Sequence, residues 1–154
     1  MRIALESPDQ PEVVALIGEL DAYQDTLYPP EARYALDLAS LCRPEVLFAV
    51  ARSADGKAQG CGAVVLGAAD GEVKRMYVRP SARGQGAAAQ ILQALETAAR
   101  ARGCRALMLE TGPMQPDAIA FYERQGFTRC GPFGSYPEHP LSVFMGKALA
   151  KASA

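Results

Sequence analysis

The stretch that most constrains this chain is residues 73–88, where β-forming residues are followed by a basic turn, two glycines and an alanine-rich segment. This order predicts a strand, a tight turn and a helix. Gly84 and Gly86 permit backbone conformations that other residues rarely adopt. The first amides of the following helix have no partner within the helix and lie at the positive end of its dipole. Together with Arg79 and Arg83, they predict a site for a pyrophosphate or a similar anion.

Composition and charge restrict the partners of the chain. It has 154 residues, a formal net charge of −1 and no apolar run of membrane-spanning length. One domain is expected at 1–149, with a disordered tail at 150–154. Nucleic acid is a poor match, because binding its phosphates needs a marked basic excess. One histidine and four scattered cysteines predict no metal site, and the absence of a signal-peptide pattern predicts a cytoplasmic location.

The spacing of apolar residues predicts one α/β (α+β) domain. Asp-Gly pairs at 55–56 and 70–71 predict turns that join three strands into an antiparallel meander. The helix after the glycines should connect to a strand that lies parallel to the strand at 72–78. The predicted strands are 1–5, 46–52, 59–66, 72–78, 105–110, 127–130 and 142–149. The predicted helices begin after an N-cap at Asp9, at Pro30, at about Gly84 and at Asp117, and the second runs to about Cys42.

Two motifs resemble those of the GNAT N-acetyltransferases. The segment Arg83-Gly84-Gln85-Gly86-Ala87-Ala88 resembles the family signature Arg/Gln-x-x-Gly-x-Gly/Ala. Residues 115–127 resemble the later pattern Asn-x-x-Ala-x-x-Leu/Phe-Tyr-x-x-x-Gly-Phe, with Gln115 in place of the usual Asn. Further segments resemble YsnE-like GNAT proteins, so that the likeness covers nearly the whole chain. These segments are 28–31, 60–63, 109–112 and 136–145.

The resemblance implies a GNAT-like mixed, mostly antiparallel central sheet flanked by helices, with a splayed parallel strand pair at the cofactor cleft. It also implies acetyl-CoA as the acetyl donor, a small-molecule amine or an amino acid as the acceptor, and a homodimer. In the family, the glycine loop holds the pyrophosphate of coenzyme A and the splayed strand pairs with the pantetheine arm. The residues that the resemblance assigns to the cofactor are Met76, Tyr77, Val78, Arg83, Gly84, Gln85, Gly86, Ala87, Ala88, Gln115, Ala118, Phe121 and Tyr122.

Acetyl transfer from a thioester to an amine needs a base for the amine and an acid for the leaving thiolate. The resemblance places Tyr122 near the coenzyme sulfur, and a phenol with a pKa of about 10 can serve a thiol with a pKa of about 8.5. Glu72 and Glu110 are the candidate bases, because they are the carboxylates nearest the expected cleft. A backbone N–H at 76–78 is the expected donor to the carbonyl oxygen. The residues predicted to contact the acceptor are Tyr28, Glu31, Glu110, Tyr136 and His139.

Two alternatives remain at this point. One is a non-catalytic coenzyme A-binding or regulatory module, because fold does not fix function and Gln115 departs from the family motif. The other is a dinucleotide-binding protein, because the glycines at 84–86, followed by Glu110, resemble that fingerprint. The five residues between the strand and the first glycine, and the hairpin meander before it, argue against the dinucleotide interpretation.

Overall fold

The computed structural model describes residues 1–150, and residues 151–154 of the predicted tail lie outside the described residues. The strands are β1 (Arg2–Leu5), β2 (Val46–Arg52), β3 (Ala58–Leu66), β4 (Asp70–Val78), β5 (Ala106–Thr111), β6 (Thr128–Cys130) and β7 (Val143–Ala148). The α-helices are α1 (Pro11–Asp25), α2 (Leu38–Leu41), α3 (Ala87–Ala101) and α4 (Pro116–Arg124), and short 3₁₀ turns lie at Pro30–Ala32 and Pro80–Ala82.

The seven strands form one sheet in the order β1-β2-β3-β4-β5-β7-β6. Only the pair of β4 and β5 is parallel among the strands of residues 1–150. The mixed, mostly antiparallel sheet predicted from the sequence is therefore confirmed. The β2–β3–β4 meander is also confirmed, and the β2–β3 turn lies at Asp55-Gly56 as predicted. Asp70 and Gly71 instead begin β4, and the β3–β4 turn is formed by residues 67–69 before them.

Two apolar clusters hold helices to the sheet. The buried face of α1 packs with residues of β2 and β3, and α3 packs in a separate cluster, chiefly against β2 and β3 and also against β4. Gly62 of β3 permits close approach of α3, because a Cβ at this position would overlap Met76 and lie 2.9 Å from Ile91. The buried face of α3 holds this helix against the sheet. The helix therefore starts near the end of β4, where the glycine loop lies.

The second predicted helix is wrong. Residues 30–42 form only the turn at Pro30–Ala32 and the short helix α2, with non-helical backbone between them. The carbonyl of Tyr34 accepts a hydrogen bond from Lys74 Nζ at 2.8 Å, and the carbonyl of Leu36 accepts two from the guanidinium of Arg75. A helix would use these carbonyls internally, so the long-range contacts favour an extended segment here.

The predicted N-cap at Asp9 is also wrong. The N-cap of α1 is Gln10, which has extended backbone and makes no side-chain capping bond. The buried stripe of α1 nevertheless follows the predicted spacing, with Val13, Leu16 and Leu20 in the core.

The parallel pair separates after three residues. Pairing joins Asp70–Glu72 to Ala106–Met108, and both strands then continue without pairing to each other in the described structure. On its other edge, β4 pairs with β3 through a bulge, where Arg75 has a φ of 58°. Bulges bend and twist a strand, so this irregularity accompanies the separation. The predicted splay is confirmed.

Candidate active site

The separation of β4 and β5 forms a cleft of about 130 Å³, called the cleft from here on. Its walls are the middle of β4, the end of β5, the start of α4 and the segment that follows α1. The cleft brings together six of the residues predicted for the site, namely Tyr28, Met76, Glu110, Gln115, Ala118 and Tyr122.

Glu110 lies two residues beyond Met108, the last residue of β5 that pairs with β4, so it stands where the strands have already diverged. Burial raises the pKa of its carboxyl from 4.5 to about 7, the negative charge of Glu72 adds to the rise, and the Ser142 hydroxyl and the positive charge of Lys74 oppose it. A carboxyl that titrates near neutral pH can accept a proton in one step and release it in another. Glu110 therefore has the properties of a general base.

Tyr122 is 8% exposed and packs edge-to-face against Phe121 and Phe127, with ring centroids 5.2 and 5.6 Å away. The residue lines the cleft. Burial raises the pKa of this phenol, so it keeps its proton at neutral pH. The hydroxyl can therefore donate a hydrogen bond or a proton to a group in the cleft.

Glu72, the second predicted base, is engaged elsewhere. Its carboxylate accepts a hydrogen bond from Tyr136 at 2.5 Å and lies 3.1 Å from Lys74 Nζ. Burial, followed by the bond to Glu72, raises the pKa of Tyr136. Neither Glu72 nor Tyr136 lines the cleft, although Lys74 does. Glu110 therefore lines the cleft and Glu72 does not, a difference that the sequence alone could not predict.

Two further predicted acceptor contacts lie away from the cleft lining. Glu31 is exposed on the 3₁₀ turn that follows Pro29. The Nδ1 atom of His139 accepts a hydrogen bond from the backbone N–H of Leu141 at 3.0 Å, which fixes the local turn.

The glycine loop follows β4 and is exposed from Arg83 to Gly86. Gly84 and Gly86 both have φ of 79°, the left-handed conformation that favours glycine. Gly86 is the N-cap of α3, so the helix begins at Ala87 rather than at about Gly84. The exposed loop leads directly into the first amides of α3, which have no partner within the helix.

The arginines of this region differ from each other. Arg83 donates a hydrogen bond from Nε to the Val78 carbonyl at 3.0 Å and lies over the ring of Tyr77. Arg79 instead pairs with Glu19 at 3.1 Å, so part of its charge is offset beside the loop. Tyr77 also bonds to Glu19 through its hydroxyl, which leaves its backbone as the part available to a cofactor.

Replacing Gly86 with valine should weaken coenzyme A binding. A left-handed residue with a side chain costs about 1–2 kcal/mol, and relief of that strain would move the amides of the loop. We expect the dissociation constant for coenzyme A, measured by calorimetry, to rise about tenfold or more. The matched control is Gly56→Val, because Gly56 has a φ of 84° in the β2–β3 turn. Equal weakening in both variants would contradict a local role for the loop.

The cations of the cleft were not among the residues predicted for the site. Arg33, Lys74 and Arg75 all line it. Arg33 and Arg75 share the carboxylate of Asp21, at 3.0 and 2.5 Å. The available signal was the pair Lys74-Arg75 inside an otherwise β-forming strand, which the sequence analysis treated only as part of a basic stretch.

Tyr28 and Gly112 both line the cleft, and the position of Tyr28 leaves no room for a side chain at Gly112. Tyr28 is buried, and a Cβ built on Gly112 would overlap its ring and hydroxyl. Gly112→Ala should therefore lower the free energy of unfolding by about 1–3 kcal/mol, measured by urea denaturation. Gly131→Ala is the control, because a Cβ at Gly131 has open space around it. A similar loss in both variants would contradict the role assigned to Tyr28.

Comparison with known proteins identifies the family. The model of the acetyltransferase (GNAT) family matches residues 15–127. The chain belongs to the GNAT family. It is therefore an N-acetyltransferase, and the prediction from the two motifs is confirmed.

Full-length relatives extend this result. The chain is 50% identical over 149 residues to the IAA acetyltransferase of Azospirillum brasilense, covering 96% of this chain and 97% of the relative. It is 40% identical to the uncharacterised N-acetyltransferase YsnE of Bacillus subtilis (strain 168), covering 97% of this chain and all of the relative. A crystal structure from Klebsiella pneumoniae, provisionally named as an acyl-CoA N-acyltransferase, is 42% identical with a TM-score of 0.83, covering 97% of both chains. The YsnE-like assignment is thus confirmed.

Two other features of residues 1–150 bear on the predictions. These residues contain no group of three or more His, Cys, Asp or Glu side chains placed to hold a metal ion. None of their helices combines the length and the apolar character needed to span a membrane.

Proposed function

We propose that this GNAT protein transfers an acetyl group from acetyl-CoA to the primary amine of a small molecule or an amino acid, by direct attack of the amine. The observation that carries the proposal is the placement of Glu110 and Tyr122 on one cleft, where β4 and β5 separate. Acetyl-CoA supplies the activated acetyl group. A base and an acid on the same cleft meet the two proton-transfer needs of this reaction.

Glu110 removes the proton from the acceptor amine. An alkylammonium ion has a pKa of about 10, so the amine needs a base before it can attack. A pKa of about 7 leaves a large fraction of Glu110 ionised at neutral pH. Tyr122 holds the other proton, which its hydroxyl directs toward the leaving sulfur.

The chain's own backbone would hold the donor. Residues Met76–Val78 lie on the part of β4 that does not pair with β5, and strand-like backbone groups there can bond the pantetheine amides and the thioester oxygen. The glycine loop, from Arg83 to the start of α3 at Ala87 and Ala88, would hold the pyrophosphate. Gln115, Ala118 and Phe121, at the start and on one side of α4, would complete the pantetheine site.

The direct test is turnover. The purified protein is mixed with acetyl-CoA and a panel of small amines, amino acids, a lysine peptide and IAA, the compound in the name of the Azospirillum relative. We expect acceptor-dependent release of the coenzyme thiol and an acetylated product by mass spectrometry. Binding of coenzyme A with no transfer to any acceptor would instead identify a non-catalytic module.

A further inference from the structure

Buried polar atoms without partners mark one region of the molecule. In residues 1–150, three buried side-chain polar atoms have no hydrogen-bond partner: Tyr28 Oη, Arg33 Nε and Ser142 Oγ. Tyr28 and Arg33 line the cleft, and Ser142 follows Leu141, which also lines it. Folded proteins pair nearly all buried polar atoms. Three such atoms around one cleft indicate groups that a ligand satisfies.

The nearest protein groups do not satisfy two of these atoms. The Met114 amide is close enough to Tyr28 to lower the pKa of its phenol, and Ser142 lowers the pKa of Glu110, but neither contact has hydrogen-bond geometry. Each hydroxyl therefore keeps a proton to donate. Arg33 Nε carries a further N–H, which can only donate.

The charge on the cleft wall points to the same kind of ligand. Three cations line the cleft, Arg33, Lys74 and Arg75, against the single carboxyl of Glu110. The carboxylates that pair with these cations do not themselves line the cleft, and they are Asp21, Asp25 and Glu72. The charged side chains that line the cleft are thus mostly cationic, and the carboxylates paired with them lie outside the lining.

Resting on the acetyl transfer proposed above, we propose that the acceptor carries a carboxylate beside its amine, as an amino acid does, and that Arg33 and Tyr28 bind this carboxylate. A carboxylate has two oxygens, and it accepts the N–H of Arg33 and the O–H of Tyr28 together. Asp21 and Asp25 already hold the guanidinium of Arg33 in place. Both donors belong to residues that line the cleft.

The volume of the cleft and its apolar lining limit the size and polarity of the acceptor's side chain. Its volume of about 130 Å³ is close to that of a cavity that holds benzene, about 150 Å³. Leu20, Tyr34 and Leu141 supply apolar surface. These features favour a small amino acid with an apolar side chain.

The experiment compares matched acceptors that differ only at the carboxylate. Wild-type protein with saturating acetyl-CoA is assayed with leucine, leucinamide and isopentylamine, and with alanine, alaninamide and ethylamine. We expect kcat/KM for each acid to exceed that of its amide and amine by about tenfold to a hundredfold, since bonds to a charged group are the stronger ones. Equal or better transfer to the amides and amines would overturn the proposal.

Variants then locate the subsite. Tyr28→Phe and Arg33→Gln should raise KM for the acid with a smaller change in kcat, and should leave the amine nearly unaffected. Tyr28→Phe keeps the ring and removes one hydroxyl, so it tests the subsite even if Arg33→Gln fails to fold. The matched control is Tyr23→Phe, because Tyr23 lies on α1 with 44% exposure and does not line the cleft. Retention of the full preference for the acid in Tyr28→Phe would remove Tyr28 from the subsite.

A binding measurement separates this proposal from the transfer reaction. Leucine and leucinamide are titrated by calorimetry into the protein saturated with coenzyme A. Leucine binding that is weakened by Tyr28→Phe, without any turnover, would support the subsite and contradict the proposed reaction. Turnover of amines without selective binding of leucine would support the proposed reaction and contradict the subsite.

Discussion

Glu110→Gln should lower kcat/KM by about 10²–10⁴-fold, the range that general bases contribute. Glutamine has nearly the same shape but cannot accept a proton from the amine. The wild-type value of kcat/KM should also rise with pH through about 7, as the carboxyl loses its proton in the free enzyme. The acceptor ammonium loses its proton only at higher pH. A plot of log kcat/KM against pH for the wild type should therefore have a steeper slope below about pH 7 than above it. The variant should lose that steeper part.

Stability gives an independent check on the same carboxyl. Burial raises its pKa from 4.5 to about 7, so the folded state binds the proton more tightly than the unfolded state does. This contribution is fully present below pH 4.5 and is lost as the pH rises toward 7. The melting temperature of Glu110→Gln relative to wild type should therefore increase from pH 4.5 to 7 and then level off.

Glu123→Gln is the control for both measurements, because Glu123 is exposed on α4 and does not line the cleft. It should show neither the loss of activity nor the trend in melting temperature. A Glu110→Gln enzyme with near-wild-type kcat/KM and an unchanged pH profile would exclude Glu110 as the base. Glu72, which is joined to Tyr136 and Lys74, would then be the next candidate.

The difference between these two glutamates shows where sequence reasoning ends. Both lie on adjacent strands, and residue type alone assigns them equal roles. Glu72 is at the last position where β4 pairs with β5, opposite Met108, whereas Glu110 is two residues beyond that pair. Strand register and the position of Tyr136, 64 residues away in the chain, decide which carboxylate is free. Neither is encoded in local spacing.

Local features were predictable where local physics determines them. The turn at Asp55-Gly56, the left-handed glycines at 84 and 86 and the buried stripe of α3 each depend on a few neighbouring residues. The segment at 30–42 was not predictable in this way, because Lys74 and Arg75 bind its carbonyls. Lys74 and Arg75 were missed for the same reason, because their roles depend on contacts about 40–54 residues apart in sequence.

Tyr122→Phe should lower kcat on the order of a hundredfold while the affinity for coenzyme A stays unchanged. The substitution removes only the hydroxyl and keeps the ring that packs against Phe121 and Phe127. The folded structure should therefore be retained, as urea denaturation would verify. Steady-state kinetics and calorimetry together separate the loss of the chemical step from a loss of binding.

The result also decides how the hydroxyl acts. Burial raises the pKa of Tyr122, so a complete proton transfer to a thiolate, whose conjugate acid has a pKa of about 8.5, is uphill in the cleft. A hydrogen bond to the developing thiolate still stabilises it, because a charged acceptor in a buried site forms a strong bond. Tyr23→Phe, the same change at an exposed position, should have no effect. Full activity in Tyr122→Phe would mean that the ring is a core aromatic and that water protonates the leaving group.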